Sequence, residues 1–129
     1  MHPDTVLIAE DNTEWRTVIK RLLEPHYEVL GFVARGDEVV ARAVSLQPEV
    51  ITLDVSMPGK SGLNLLPELR IAVPDAAIIM VTTTPTTIYI EEAYRRGAHG
   101  YVFKRNVRSD LVRAIDKAVA LGRLRAIGK

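Results

Sequence analysis

The sequence has no cysteine. That excludes a disulfide scaffold, a thiolate metal site and a cysteine nucleophile. No apolar run approaches the ~20 residues that cross a bilayer, and no basic-then-apolar leader opens the chain. The expectation is a cytoplasmic domain with no membrane partner. Repeats, low-complexity tracts and linker-like stretches are also missing. Neither sign of charge dominates: 17 Lys and Arg stand against 16 Asp and Glu, a formal net charge of +1, so there is no global reason to expect nucleic acid. What is present is a chain of 129 residues, 47% hydrophobic and 26% charged. That is near the globular average and enough for about one self-sufficient core.

The charge is unevenly placed. Lys104 to Lys129 carry eight basic and two acidic residues, and the preceding 103 residues carry nine and fourteen. The basic end reads either as a solvated helix face and tail or as a contact for an anionic partner. Residues 1–122 read as one domain and residues 123–129 as a basic tail or the start of a linker.

Apolar runs alternate with helical periodicity along the chain. Strands are expected at Thr5–Glu10, Tyr27–Ala34, Glu49–Val55, Ala76–Thr82 and Gly100–Phe103. The first helix, Asn12–Glu24, shows one apolar face in Trp15, Val18, Ile19, Leu22 and Leu23, and Pro25 ends it. The second, Asp37–Leu46, places Val40, Ala43 and Val44 on one side. Ser61 is a candidate N-cap for a third helix to about Ala72, with a local kink expected at Pro67. Thr84-Pro85 starts a fourth helix to Arg96, closed by Gly97. Asn106 is the expected cap of the fifth, whose apolar face is Leu111, Ile115, Ala118 and Val119. Five strands alternating with five helices make a parallel sheet with right-handed crossovers. The expected fold is a three-layer, doubly wound α/β sheet of order 2-1-3-4-5, flavodoxin-like.

The polar residues that punctuate those strands carry the function. Glu10-Asp11 ends the first strand, Asp54 the third, Thr82 the fourth and Lys104 the fifth. In a parallel sheet these carboxyl ends share one edge, where ligands bind. Three carboxylates in one cleft repel one another; a divalent cation and a lysine ammonium relieve that together. Oxygen donors without Cys or convergent His favour magnesium. A carboxylate beside Mg²⁺ is chemically able to attack phosphorus and form an aspartyl-phosphate. Taken singly the residues have plainer roles: a helix-capping acidic pair, a loop carboxylate, a strand-end hydroxyl and a surface lysine. Their joint occurrence at four strand ends is the signal.

On these residues the sequence resembles the receiver domain of a bacterial two-component response regulator. The matching stretches are VLIAEDN, ITLDVSMPGKSGLNLLPELR, IIMVTTT and GAHGYVFK, and the likeness covers about Thr5 to Leu121. GAHGYVFK and the last helix are most similar to receivers of regulators with helix-turn-helix output domains. The resemblance implies Asp54 as phosphoacceptor and Asp11 as a direct Mg²⁺ ligand. Glu10 would act largely through water, and the Ser56 backbone carbonyl would complete the set. Thr82 and Lys104 would bind the phosphoryl group, and Tyr101 would be the switch residue that follows Thr82. Ser56, Thr83 and Thr84 would tune phosphoryl lifetime. The donor would be a phosphohistidine on a sensor histidine kinase or phosphotransfer protein, or a small acyl phosphate. The expected role is a signalling phosphoacceptor, not a turnover enzyme. Output is expected through a partner contact or a phosphorylation-dependent homodimer, formed by the last two helices or by helices one and five, and DNA contact only through an output domain.

The sequence departs from the family pattern in three places. Glu stands at position 10 where many receivers have Asp. Thr83 follows the switch threonine where a small residue is usual. Arg105 stands where a cis-proline often follows the lysine, and a non-proline cis bond costs about 2.5–4 kcal/mol. Competing readings are weaker. Gly59-Lys60-Ser61 mimics the end of a P-loop, but the glycine required five residues earlier is Asp54. A phosphatase of the aspartyl-phosphate type carries an Asp two residues after the nucleophile, where this chain has Ser56. A DNA-binding module lacks a helix-turn-helix pattern, and an intact site disfavours a receiver that works without phosphate.

Overall fold

The computed structural model describes residues 4–83 and 87–127, the last three without their side chains. Five parallel strands form one sheet: β1 (Thr5–Ala9), β2 (Glu28–Val33), β3 (Val50–Leu53), β4 (Ala77–Thr82) and β5 (Gly100–Phe103), in the order β2-β1-β3-β4-β5. The helices between them are α1 (Thr13–Leu23), α2 (Val39–Leu46), α3 (Gly62–Ala72), α4 (Thr87–Arg95) and α5 (Val107–Ile127). This is the expected doubly wound, flavodoxin-like arrangement.

Each central strand is apolar on both faces because a helix layer covers both. Leu7, Ile51, Leu53, Ile78 and Met80 pack with Val39 and Ala43 of α2 and with Leu65, Leu66 and Leu69 of α3. On the opposite face Val6, Ile8, Ile79 and Val102 pack with Ile19 and Leu23 of α1 and with Leu111, Ile115 and Ala118 of α5. The expected faces of the first and last helices are therefore the buried ones. α4 buries only Ala93 fully and leaves Ile88, Tyr89 and Tyr94 exposed.

Local chemistry sets the element ends. Asn12 Oδ1 accepts from the Trp15 N–H at 2.9 Å and caps α1. Ser61 Oγ accepts from the Asn64 N–H and caps α3. α3 continues through Pro67. Proline lacks the N–H that would bond the Leu63 carbonyl, and Arg96 Nη1 donates to that carbonyl at 3.3 Å instead. Gly97, at φ 115, ends α4.

Two sequence expectations need correction. The segment at 37–46 is a 3-10 turn, Gly36–Glu38, followed by α2. Its buried line is Val39 and Ala43, one turn apart, so Val44 is rotated outward and 48% exposed. Asn106 stands directly before α5, at the end of a 3-10 turn, Lys104–Asn106. No peptide bond among the described residues is cis, so Lys104–Arg105 is trans. Thr84-Pro85, the expected start of the fourth helix, lies outside the described residues. α5 runs past residue 122 to Ile127, and Arg123 pairs with Asp4 at 2.7 Å.

Thr52, in the middle of β3, is 1% exposed, and its hydroxyl has no hydrogen-bond partner among the described residues. A buried unpaired hydroxyl costs on the order of 1 kcal/mol or more. Thr52→Val is therefore expected to stabilise the protein by about 1 kcal/mol, seen as a higher urea midpoint. An unchanged or lower midpoint would show that the hydroxyl is satisfied.

Candidate functional site

The site is built at the carboxyl ends of β1, β3, β4 and β5. Side chains alternate along a strand, so Asp54 continues the Val50 and Thr52 face, and Glu10 continues that of Val6 and Ile8. Lys104, next after β5, follows Val102 on the same side. Three residues from distant parts of the sequence thus meet on one face of one edge. Main-chain bonds seat them: the Glu10 N–H donates to the Val33 carbonyl at 2.9 Å and the Asp54 N–H to the Ala9 carbonyl at 3.1 Å. Gly62, at the start of α3, donates its N–H to the Val55 carbonyl. A Cβ there would lie 2.2 Å from the Asp54 carbonyl oxygen, so only glycine lets α3 press this close to the loop.

Glu10, Asp54 and Lys104 are 1%, 5% and 6% exposed. Lys104 Nζ lies 2.6 Å from Glu10 Oε1 and 3.1 Å from Asp54 Oδ2. One ammonium therefore bridges two buried carboxylates. The bond to Asp54 is a hydrogen bond. The approach to Glu10 is a close ion pair. Glu10 Oε2 accepts from the Asn12 N–H at 3.0 Å, and Asp54 Oδ1 from the Ser56 N–H at 3.2 Å. Asp11 is exposed. It lines a groove of about 570 Å³ with Ser56, Met57, Ser61, Leu63 and Tyr89.

Burial pushes the Glu10 carboxyl up to about 7; the Lys104 contact and the Asn12 N–H pull it down, and the Asp54 charge raises it. The ordinary value is 4.5, so between these limits the native state holds a proton that the unfolded chain has lost. Stability from this group is full below the lower value and is lost as pH rises through the upper one. In cation-free protein, Glu10 alone is expected to lower the unfolding free energy by roughly 3 kcal/mol across that window. Urea titrations of the wild type and Glu10→Gln at matched pH isolate this slope, and parallel curves would contradict it.

One ligand oxygen from each of Glu10, Asp11 and Asp54 lies within 4.8 Å of the others. This hard-oxygen donor set fits a divalent cation of the Mg²⁺ kind. Thr82 closes β4, is 1% exposed, and pairs in register with Phe103, the residue before Lys104. By alternation with Ile78 and Met80 it falls on the other face of the sheet, the face against which Tyr101 packs. Tyr101 is half-buried and meets the Phe103 ring edge-on at 5.7 Å. Burial, and then the charge of Asp54, raise its phenol above the ordinary value. Thr83 is exposed, and Thr84 lies outside the described residues.

Two neighbours escaped the sequence reading. Trp15, read as core, has its ring 5.3 Å from Lys104 Nζ, within cation–π range. Arg16 reaches back to the Glu10 and Asp11 carbonyls. Helical periodicity assigned Trp15 a face, but which charge lay beyond it depended on strand β5.

A doubly wound sheet with an acidic, lysine-bridged pocket at its carboxyl edge defines the class: an α/β domain able to take a cation and an anionic group together. Comparison with known proteins narrows this. The response regulator receiver domain model matches residues 6–116, and the chain belongs to that family, the signalling module of two-component systems. The nitrate/nitrite response regulator protein NarL of Escherichia coli K12 is 33% identical over 120 residues, 92% of this chain and 56% of that protein. The chain thus spans little more than half the length of that relative. The chemotaxis protein CheY of Thermotoga maritima is 30% identical over 87% of this chain and 94% of its own length. A solved LuxR-family DNA-binding response regulator from Staphylococcus aureus superposes with a TM-score of 0.83 at 30% identity, covering 90% of this chain and 98% of that one. No helix among the described residues is long and apolar enough to cross a membrane.

Proposed function

We propose that this receiver domain takes a phosphoryl group onto Asp54 in a Mg²⁺-dependent reaction and so switches a partner or dimer interface. The observation that carries the reading is the convergence of Glu10, Asp11 and Asp54 within a single cation's reach, with Lys104 across Glu10 and Asp54. A carboxylate oxygen of Asp54 forms a new O–P bond as the donor's bond to phosphorus breaks. That bond is P–N in a phosphohistidine of a sensor kinase or phosphotransfer protein, and P–O in a small acyl phosphate. The electron pair leaves with the imidazole or the carboxylate. Glu10, Asp11, Asp54 and the Ser56 carbonyl would hold Mg²⁺, which supplies charge neutralisation for the phosphoryl oxygens. Lys104, already at Asp54, neutralises the transferred group as charge develops on it.

The phosphoryl group is larger and more highly charged than the carboxylate. Thr82 then moves to bond it, and Tyr101 turns toward the vacated space on the same face. α4 is lightly anchored and shifts with them, so the two states differ by contacts the phosphate makes in only one. Ser56, Thr83 and Thr84 tune the lifetime of the group. The domain is a stoichiometric acceptor, not a turnover enzyme, and works in the cytoplasm. Kinship with NarL supports transcriptional output through a separate DNA-binding domain and a phosphorylation-dependent homodimer. The receiver domain is assigned to residues 1–122, with 123–129 read as a basic tail or the start of a linker that sets out as the last turns of α5.

Incubation with a small acyl phosphate tests this. One phosphoryl group per chain should appear by intact mass in the presence of Mg²⁺ and none with excess chelator. Multiple turnover of phosphate esters would instead make the domain a phosphatase.

A further inference from the structure

We propose that Arg16 is a positioning residue for the acidic loop Glu10–Asn12 and sets the pocket's affinity for its divalent cation. The inference rests on the reading above only in naming that cation as Mg²⁺.

Arg16 lies in the first turns of α1, yet its guanidinium points back past the helix start. Nη1 donates to the carbonyl oxygens of both Glu10 and Asp11, each at 3.3 Å, and Nη2 donates to Thr13 Oγ1 at 3.2 Å. The guanidinium carbon sits 4.0 Å from the centroid of the Phe32 ring. Phe32 belongs to β2, the strand at the end of the sheet, and is 53% exposed. One planar group thus ties two consecutive loop carbonyls to the sheet edge. Arginine's rigid fork makes this possible; a lysine ammonium has no equivalent plane.

The consequence for the pocket is geometric. With both carbonyls held, the peptide planes on either side of Asp11 are fixed, and so is the direction in which its Cβ projects. No hydrogen bond among the described residues reaches the Asp11 carboxylate, so backbone placement is what aims it. Glu10 is held separately by the Asn12 N–H on Oε2. Partners that orient metal ligands without touching the ion typically change affinity by about 10–100-fold.

A positioning role and a charge role have opposite signs. As a mere cation near three carboxylates, Arg16 would repel a divalent ion, and its removal would tighten binding. As a clasp, its removal loosens binding, and Arg16→Lys fails to restore it although the charge is kept.

The test is a Mg²⁺ titration of the purified domain by calorimetry, followed in parallel by fluorescence of Trp15, the single tryptophan, together with melting of the cation-free proteins. Arg16→Ala and Arg16→Lys should both bind Mg²⁺ about 10-fold more weakly. Phe32→Leu, at an exposed position, should show a smaller loss in the same direction. Cation-free melting temperatures of Arg16→Lys and Phe32→Leu should stay near wild type. Equal or tighter binding by Arg16→Ala, or wild-type affinity in Arg16→Lys, overturns the positioning role. A wild type with no response to Mg²⁺ overturns the phosphoacceptor reading instead, so the two failures are distinct.

Discussion

Asp54→Asn abolishes phosphoryl uptake from a small acyl phosphate while the domain stays folded: this is the largest effect expected. The amide has nearly the carboxylate's shape, so the Ser56 N–H keeps its acceptor and the loop its seat. It lacks the anionic oxygen needed to attack phosphorus. The substitution also removes one of the two buried negative charges that share Lys104, leaving a balanced Glu10–Lys104 pair. The melting temperature without Mg²⁺ is therefore not expected to fall. Intact mass after incubation, with circular dichroism on the same sample, checks both halves. Stoichiometric labelling of Asp54→Asn would move the phosphoacceptor elsewhere and remove the basis of the mechanism.

Lys104→Ala has the second largest effect, on stability first and phosphorylation second. The ammonium is buried with both partners, and its loss strands two carboxylates in a site from which water is nearly excluded. Breaking a buried pair from one side costs about 3–5 kcal/mol, a large fraction of a small domain's stability. Near pH 8 the urea midpoint should drop accordingly. Without the lysine the Glu10 carboxyl binds its proton more tightly still, so stability returns as pH falls and it is neutralised. Glu10→Gln in the Lys104→Ala background should recover much of the loss near pH 8, because the carboxyl that is costly to bury ionised is gone. Saturating Mg²⁺ should recover part of it. A Lys104→Ala protein as stable as wild type near pH 8 would show that the pair contributes nothing net.

The site could be read in advance because polar residues interrupt otherwise apolar strands. Asp54 directly follows the buried run Val50–Leu53, and Lys104 directly follows Gly100–Phe103. In a parallel sheet such positions must share an edge. The helix faces of α1 and α5 were legible for the same reason, since 3.6-residue periodicity reports burial. Val44 was misplaced because a helix as short as α2 leaves its phase ambiguous until the 3-10 turn before it is known. The Arg96 bond to the carbonyl freed at Pro67 joins α4 to α3, a pairing no local pattern encodes.

Composition and periodicity alone thus determined a five-stranded doubly wound domain and the four strand ends at which the candidate site lies, because strand alternation and right-handed crossovers leave little choice. Only the folded chain decided that one ammonium lies across Glu10 and Asp54, that Trp15 flanks it, and that Arg16 holds the acidic loop against Phe32. Those contacts join residues on different elements. Their distances follow from how layers pack in three dimensions, which the spacing of residues along a single chain does not specify.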